Sequence, residues 1–345
     1  MRRGDGHILS VMTFDRQRFL SGAIAAVGAV SFAAPGSAAS EIPKRRLGRT
    51  EQRVSSVGMG GFHIGKPDLP DADATKLIHA AIDRGITFMD NCWDYNRGAS
   101  ELRMGKALNV EGYRDRVFLM TKIDGRTSNA AQNQIDQSLS RLLTEHVDLV
   151  QFHENIRPDD ADRIFAPGGA FEAVVAAKKA GKVRFIGFTG HKSPAYHLHM
   201  IAVAKKNGFT FDTVQMPLNV MDAHFESFQK QVLPVAKGLD MGIIAMKTFG
   251  DPHILQTGLV SPVDMLHYGM NLPTAVVVTG IDSFKVLDQA VLAATTFAPL
   301  SETAVAAILA KTATVAATGK TELYKTTHAF DGTLQNPQWL ETADV

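Results

Sequence analysis

Four side chains in the sequence have complementary chemistry for moving a proton to or from a substrate oxygen: Asp90, Tyr95, Lys122 and His153. A tyrosine hydroxyl has an ordinary pKa of about 10, and an adjacent ammonium group lowers that pKa by favouring the phenolate. A carboxylate could hold the ammonium in place, and an imidazole could orient the oxygen that exchanges the proton. Such proton transfer typically contributes a rate factor of about 10²–10⁴. The set therefore favours reduction of a carbonyl group, or oxidation of the corresponding alcohol.

Each of these residues alone is more often a turn residue, a solvated charge or a buried structural group. The functional interpretation therefore depends on the elements that position them. Short apolar runs recur along the chain at intervals of about 30 residues, the length of one strand–helix unit. The eight runs are residues 55–59, 86–90, 117–121, 147–152, 184–189, 213–216, 243–246 and 275–279. Asp90, Lys122 and His153 stand at the ends of the second, third and fourth runs. Because the carboxyl ends of parallel strands share one face of a barrel, we expect these side chains to converge.

The segments between the runs have helical periodicity, and several of them end at a glycine. The predicted helices include residues 73–83, 130–143, 171–180, 198–207 and 225–237. Eight alternations of strand and helix predict an α/β fold, a single-domain (β/α)8 TIM barrel over residues 41–320. An open doubly wound sheet is the alternative. It is weakened because no G-x-G-x-x-G fingerprint follows a predicted strand.

The first 40 residues resemble a targeting segment. Arg16 and Arg18 precede a run of small and apolar residues over 22–34, and small residues then offer a cleavage site near Ala39. The segment resembles a twin-arginine export signal, although Gln17 stands where the second arginine of the pair is expected, and Met12 is an alternative start. The expectation is export to the periplasm with no stable membrane span after cleavage. An uncleaved anchor is the alternative, but the apolar run is shorter than the roughly 20 residues that a spanning helix needs.

The C-terminal tail, residues 321–345, has no clear period but retains Phe330, Trp339 and Leu340. These residues are too apolar for a purely disordered segment. We expect the tail either to cover the mouth of the barrel or to pack on its outer wall.

Charge and cysteine content restrict the function classes. The formal net charge is +1 and there is no basic tract, so nucleic acid is not an expected partner and a small molecule is. Cys92 is the only cysteine, which excludes an intramolecular disulfide and a site built from several cysteines. The nearby His191, His197 and His199 are weak evidence for a metal site, and we expect none.

The motifs resemble those of the aldo-keto reductase family over about residues 45–295. The matching segments are residues 86–108, which carry Asp90 and Tyr95; Leu119-Met-Thr-Lys122; Asp148-Leu-Val-Gln-Phe-His153; the N-terminal segment 46–58; and Gly181-Lys-Val-Arg-Phe-Ile-Gly187. The resemblance implies a nicotinamide-dependent oxidoreductase. In that scheme Tyr95 is the general acid, Lys122 and Asp90 tune it, and His153 orients the carbonyl.

The resemblance also implies a cofactor site built from the last four strand ends. Its expected members are Thr189, Gly190, Gln215, Met246, Lys247, Thr248, Phe249, Gly250, Gly280, Ile281, Asp282, Ser283, Lys285 and Gln289. His191 replaces a common asparagine, and Met246 replaces a common tyrosine that stacks on the nicotinamide. Lys285 is the remaining candidate for a 2′-phosphate contact because the usual arginine is missing. The resemblance to the family therefore favours NADP as the cofactor, and NAD is the alternative.

Two neighbours of the four central residues, Trp93 and Glu154, are candidate walls of a substrate pocket. An aromatic wall and a carboxylate would suit a small carbonyl compound, a polyol or a sugar. The alternative from another class is a non-catalytic NAD(P)-binding regulatory module on the same barrel.

Overall fold

A computed structural model describes residues 41–344 of the chain. The predicted targeting segment therefore lies outside the described residues. Within residues 41–344, no helix combines the length and the apolar character needed to cross a membrane.

Eight parallel strands form a closed barrel, which confirms the predicted fold and excludes the open sheet. A hairpin of two antiparallel strands, β1 (Lys44–Arg46) and β2 (Arg53–Ser55), precedes it. The barrel strands are β3 (Val57–Gly60), β4 (Phe88–Asp90), β5 (Phe118–Ile123), β6 (Val147–Phe152), β7 (Val183–Thr189), β8 (Thr213–Pro217), β9 (Gly242–Met246) and β10 (Val276–Gly280). Each pairs with the next, and β10 pairs with β3 to close the ring. The first predicted run begins two residues early because Ser55 belongs to the hairpin.

Helices pack around the barrel. They are α1 (Gly61–Ile64), α2 (Asp71–Asp83), α3 (Ala99–Leu108), α4 (Ser128–Arg141), α5 (Asp160–Phe165), α6 (Ala170–Lys179), α7 (Pro194–Lys206), α8 (Phe228–Gln231), α9 (Leu233–Gly238), α10 (Pro262–Asn271), α11 (Phe284–Thr296), α12 (Glu302–Ala316), α13 (Leu323–Thr326) and α14 (Gly332–Gln335). The helix predicted over 225–237 is broken into α8 and α9. Pro234 lies in the first turn of α9, where a residue without a backbone N–H is tolerated. In the interior of one long helix the same proline would remove a hydrogen bond and clash with the preceding turn.

The barrel interior is a packed apolar core that closes the amino-terminal end. Leu47 and Val54 of the hairpin are fully buried in one cluster with Phe88 and Leu149 from the strands. Gly48 makes this approach possible, since its φ is +50° and an added Cβ would lie 2.2 Å from the backbone nitrogen of Gly242, the first residue of β9. The floor is thus sealed, and any site must open at the carboxyl ends of the strands, which we call the mouth.

The C-terminal tail lies across the mouth, which is the first of the two placements that the sequence left open. The backbone N–H groups of Gly332 and Thr333 donate to the carboxylate of Glu154, the second residue after β6, at 2.8 and 2.7 Å. Asp331 contacts His191, the second residue after β7. The mouth is therefore covered by the chain's own last segment on the side of these strands.

Candidate active site

The four residues proposed for proton transfer converge at the mouth. Asp90 ends β4, Lys122 is the second-last residue of β5, and His153 follows β6 directly. Lys122 forms a buried salt bridge with Asp90 and donates from Nζ to the hydroxyl of Tyr95 at 3.3 Å. The rings of Tyr95 and His153 meet edge to face, with centroids 5.9 Å apart. One connected cluster therefore holds the phenol, the ammonium, the carboxylate and the imidazole.

A tight left-handed turn positions the phenol of Tyr95. Asn96 and Arg97 have φ values of +51° and +55°, and Gly98 follows at +83°. Asparagine tolerates this conformation, and here its side-chain amide also donates to the carbonyl of Phe62 at 2.7 Å. The ring of Phe62 packs edge-on against Tyr95 at 5.4 Å. Sequence reasoning missed both Asn96 and Phe62.

The electrostatics of Tyr95 differ from the expectation. Burial raises the pKa of its hydroxyl well above the ordinary value, and the negative charge of Asp90 acts in the same direction. Lys122 does not reverse this effect because its ammonium is already paired with the Asp90 carboxylate. The predicted lowering of the pKa of Tyr95 is therefore wrong for this structure. A neutral phenol is the form that can donate a proton, so the chemistry proposed for Tyr95 is retained.

Beside His153 lie three acidic groups that the sequence analysis did not select. Its Nδ1 atom is 2.9 Å from Oδ1 of Asp124, 3.3 Å from Sγ of Cys92 and 3.6 Å from Oδ1 of Asp94. Burial raises the pKa of Asp124 to about 7 and that of Asp94 to about 6, while burial lowers the pKa of His153. Asp124 could have been noticed because it lies two residues after Lys122, on the same side of an extended segment.

This group also has the composition of a metal site. One potential ligand atom from each of the four side chains lies within 4.8 Å of the others. The Nδ1 atom of His153 is nevertheless already engaged in a direct hydrogen bond with Asp124. A shared proton accounts for that contact.

The residues expected to meet a nicotinamide group lie beside the cluster. Nε2 of Gln215 donates to Oδ2 of Asp90 at 2.7 Å, and the hydroxyl of Thr189 lies 3.9 Å from the sulfur of Met246. Gly190 follows β7 and is buried. The Oε1 atom of Gln215 is buried and has no hydrogen-bond partner among residues 41–344. The structure therefore brings these four strand ends together around an unpaired acceptor.

The residues expected to meet the rest of a dinucleotide lie after β9 and β10. Lys247, Thr248, Phe249 and Gly250 follow β9, with Thr248 and Gly250 buried and the other two partly buried. Gly280 ends β10, and Ile281, Asp282 and Ser283 lead into α11, which Ser283 caps. Lys285 is exposed on the first turn of α11, and Gln289 is partly buried one turn later.

His63, on α1, is a further member of this region that the sequence analysis missed. An added Cβ at Gly280 would lie 2.3 Å from its Nδ1 atom, so only glycine permits this contact. Burial lowers the pKa of His63, and the nearby Lys66 and Lys247 act in the same direction against Asp251 and Asp282. A neutral imidazole therefore lies between the ends of β3 and β10.

The two candidate pocket walls have other contacts. Trp93 is fully buried, donates from its indole N–H to Gln137 at 2.8 Å and packs edge-on against Trp339 of the tail at 5.9 Å. Glu154 is 4% exposed and accepts the two tail N–H groups described above. The structure therefore connects both residues to the tail, and their role as walls of a substrate pocket stays a prediction.

Comparison with known proteins agrees with this arrangement. Residues 56–259 match the model of the aldo/keto reductase family, and the chain belongs to that family. It is 33% identical over 197 residues to the aldo-keto reductase YhdN of Bacillus subtilis, covering 53% of this chain and 55% of that protein. It is 31% identical over 159 residues to L-galactose dehydrogenase of Arabidopsis thaliana, covering 44% of this chain and 49% of that protein.

The fold resembles that of the aldo-keto reductase AKR11C1 from Bacillus halodurans in its holo form. The TM-score is 0.64 at 19% identity, covering 79% of this chain and 96% of the other. The alignments with curated relatives such as YhdN span about half to two thirds of those proteins.

Proposed function

We propose that the protein is an oxidoreductase that transfers a hydride between a nicotinamide dinucleotide and a carbonyl or alcohol. The observation that carries the proposal is the hydrogen bond between Tyr95 and Lys122, where Lys122 is also paired with the buried Asp90. The His153 ring beside it completes a set that can hold a carbonyl oxygen and protonate it.

The unpaired polar atoms at the mouth fit a nicotinamide cofactor. The carboxamide of nicotinamide has N–H donors that match Oε1 of Gln215, a buried acceptor without a partner among residues 41–344. The buried hydroxyl of Thr248 is likewise unpartnered within that part of the chain. Thr189, Gly190, Gln215 and Met246 would hold the nicotinamide end, and the residues after β9 and β10 would hold the phosphates and the adenosine. The bound cofactor would supply the hydride.

The protein's own residues would manage the oxygen of the substrate. Tyr95 donates its hydroxyl proton to the carbonyl oxygen as negative charge develops there. The ammonium group of Lys122 stabilises the phenolate that remains on Tyr95 after the proton transfer. His153 orients the oxygen, and the tail over the mouth limits the access of water, which strengthens each of these interactions.

We propose NADP as the preferred cofactor, with NAD as the alternative. Lys285 is exposed on the first turn of α11 and could meet a 2′-phosphate as a point charge. Parallel titrations with NADPH and NADH test the preference. Lys285→Ala should weaken the binding of NADPH and leave that of NADH unchanged, whereas equal effects on both would remove Lys285 from this role.

We propose small carbonyl compounds, polyols or sugars as the substrate class. The support is the polar character of the cluster around His153 and the similarity to a dehydrogenase named for a sugar, L-galactose. A panel of aldehydes, ketones, aldoses and polyols would identify the class.

The decisive experiment follows the absorbance of NAD(P)H with that panel for the wild type and for Tyr95→Phe. Tyr113→Phe is the matched control, because the hydroxyl of Tyr113 only contacts Asp83 at the surface. We expect Tyr95→Phe to lose turnover by about 10²-fold or more and Tyr113→Phe to retain it. Cofactor binding without turnover of any substrate would favour the non-catalytic module instead.

We propose export to the periplasm through the twin-arginine-like segment, with cleavage near Ala39. The support is the sequence alone: the pair Arg16 and Arg18, the apolar run and the small residues that follow. Mass spectrometry of the protein recovered from its native compartment should find a new N-terminus near residue 40. An intact N-terminus on cytoplasmic protein would contradict the proposal.

A further inference from the structure

The imidazole of His153 is held through one nitrogen only. Its Nδ1 atom contacts Oδ1 of Asp124 at 2.9 Å, while its Nε2 atom has no hydrogen-bond partner among residues 41–344. The side chain of Asp124 is fully buried, in contrast to the 11% of the His153 side chain that remains exposed. The protected contact is therefore with Asp124, and Nε2 is the nitrogen left for a substrate.

Asp124 is fixed in place by its backbone. Its N–H donates to Oε1 of Gln134 at 2.8 Å, and its carbonyl accepts from the buried guanidinium of Arg126 at 2.7 Å. Because both backbone groups are engaged in buried hydrogen bonds, the backbone that carries this carboxyl group is held beside His153. The segment directly after β5 therefore holds Asp124 in contact with His153.

The number of protons in this pair decides what Nε2 can do. With one proton, Nδ1–H donates to an ionised Asp124 and Nε2 presents a lone pair, which repels a carbonyl oxygen. With two protons, Asp124 donates its O–H to Nδ1, so the ring proton moves to Nε2 and can be donated to a carbonyl oxygen. A neutral imidazole is thus an acceptor or a donor toward the substrate according to the state of its partner.

We propose that Asp124 is a positioning residue that sets the tautomer of His153, so that His153 binds a carbonyl oxygen only when the Asp124–His153 pair holds two protons. This inference rests on the proposed reductase function. The same pair with one proton would instead accept a hydrogen bond from the hydroxyl of an alcohol. The pair therefore selects between reduction and oxidation through the protonation of a group that never touches the substrate.

The surroundings of the pair determine whether Asp124 or His153 takes up the second proton. Burial raises the pKa of Asp124 to about 7, and burial lowers that of His153, so the carboxyl group takes up the proton before the ring does. Oδ1 of Asp94 lies 3.6 Å from Nδ1, and burial raises the pKa of Asp94 to about 6. Burial also keeps Cys92 a neutral thiol by raising its pKa.

The remaining charged neighbours of the pair lie in and after β5 and in the segment after β6, where Asp160 raises the pKa of Asp124 and Arg157 lowers it. Lys122 and Arg126 lower the pKa of Asp124, whereas Glu154 acts on His153 to favour its charged form. With the effects of these groups included, the pKa of Asp124 is about 7, so Nε2 of His153 gains or loses its proton near neutral pH. We expect kcat/KM for carbonyl reduction to fall by about tenfold per pH unit above about pH 7.

The first test is the pH profile of kcat/KM for carbonyl reduction in Asp124→Asn. The amide N–H of asparagine would donate to Nδ1 and hold the proton on Nε2, so the step near pH 7 should disappear. Asp94→Asn is the matched comparison. It should retain the step at a lower pH, because removing a neighbouring negative charge lowers the pKa of Asp124. An unchanged step in Asp124→Asn would overturn the proposal.

The second test needs no turnover. Nitrogen NMR of the imidazoles distinguishes a proton on Nδ1 from one on Nε2, and the His153→Gln variant assigns the His153 signal among the twelve histidines. We expect the wild type to change from Nε2–H to Nδ1–H as the pH rises through about 7. A single tautomer throughout would refute the proposal even if carbonyl reduction is normal. A tautomer change without any turnover would leave it standing while the proposed function fails.

Discussion

The contact between Glu154 and the tail allows a quantitative prediction for Glu154→Gln. The buried carboxylate accepts one hydrogen bond from the N–H of Gly332 and another from that of Thr333. Glutamine has one acceptor oxygen, so one of the two N–H groups would face the side-chain amide and lose its partner. A hydrogen bond to a charged group contributes about 1.5–3 kcal/mol. Since about 1.4 kcal/mol corresponds to a factor of ten, opening of this part of the tail should become roughly ten- to a hundredfold more frequent.

Hydrogen exchange measured by mass spectrometry on peptides covering residues 328–340 tests this prediction. The matched control is Glu341→Gln, which removes an ion pair between Glu341 and Arg163 at the solvent-exposed end of the tail. Exposed pairs contribute about 0–1 kcal/mol, so the control should change exchange by less than about fivefold. Equal exchange in Glu154→Gln and wild type would show that the two hydrogen bonds do not hold the tail on the mouth.

Three further outcomes are expected. Lys122→Met should lower the free energy of unfolding by about 3–5 kcal/mol in urea denaturation, because it leaves Asp90 buried without its cation; adding Asp90→Asn should recover part of the loss. Cys92 should resist alkylation in the native protein near neutral pH and react after unfolding, since it is buried and burial raises the pKa of its thiol.

Burial opposes ionisation of Asp331, but hydrogen bonds from His191, Lys192 and His328 outweigh it and lower its pKa to about 2. Asp331 should therefore stabilise the fold above about pH 4 and lose that contribution as the pH falls toward 2. Acid unfolding of Asp331→Asn and wild type should converge in that range; a constant difference down to pH 2 would contradict this.

The barrel and the location of its chemistry were accessible from the sequence. A strand buried on both faces of a parallel sheet must be apolar along its length, and that requirement repeats at each strand–helix unit. All eight strands accordingly start and end within two residues of the predicted runs, and the first begins only at Val57 because Ser55 belongs to the hairpin. Pro234 was a visible signal for the broken helix that the periodicity of 225–237 concealed.

The sequence also placed Asp90, Lys122 and His153 at strand ends, and parallel closure then brings such ends together whatever the intervening helices contain. It could not determine the direction of the Tyr95 pKa, because that depends on how much water the surrounding elements exclude and on the pairing of Lys122 with Asp90. Burial of a group by distant segments has no periodic signature in the chain.

What only the tertiary structure decided are contacts between specific polar groups far apart in the chain. Asp124 meets His153 across 29 residues, and Glu154 meets Thr333 across 179. A hydrogen bond needs its atoms placed within a few tenths of an ångström, whereas a hydrophobic pattern specifies only which face of an element is buried. The sequence by itself therefore determined the barrel and the placement of the reactive residues at its mouth. The tertiary structure determined the hydrogen-bond partners of these residues, and with them their protonation states.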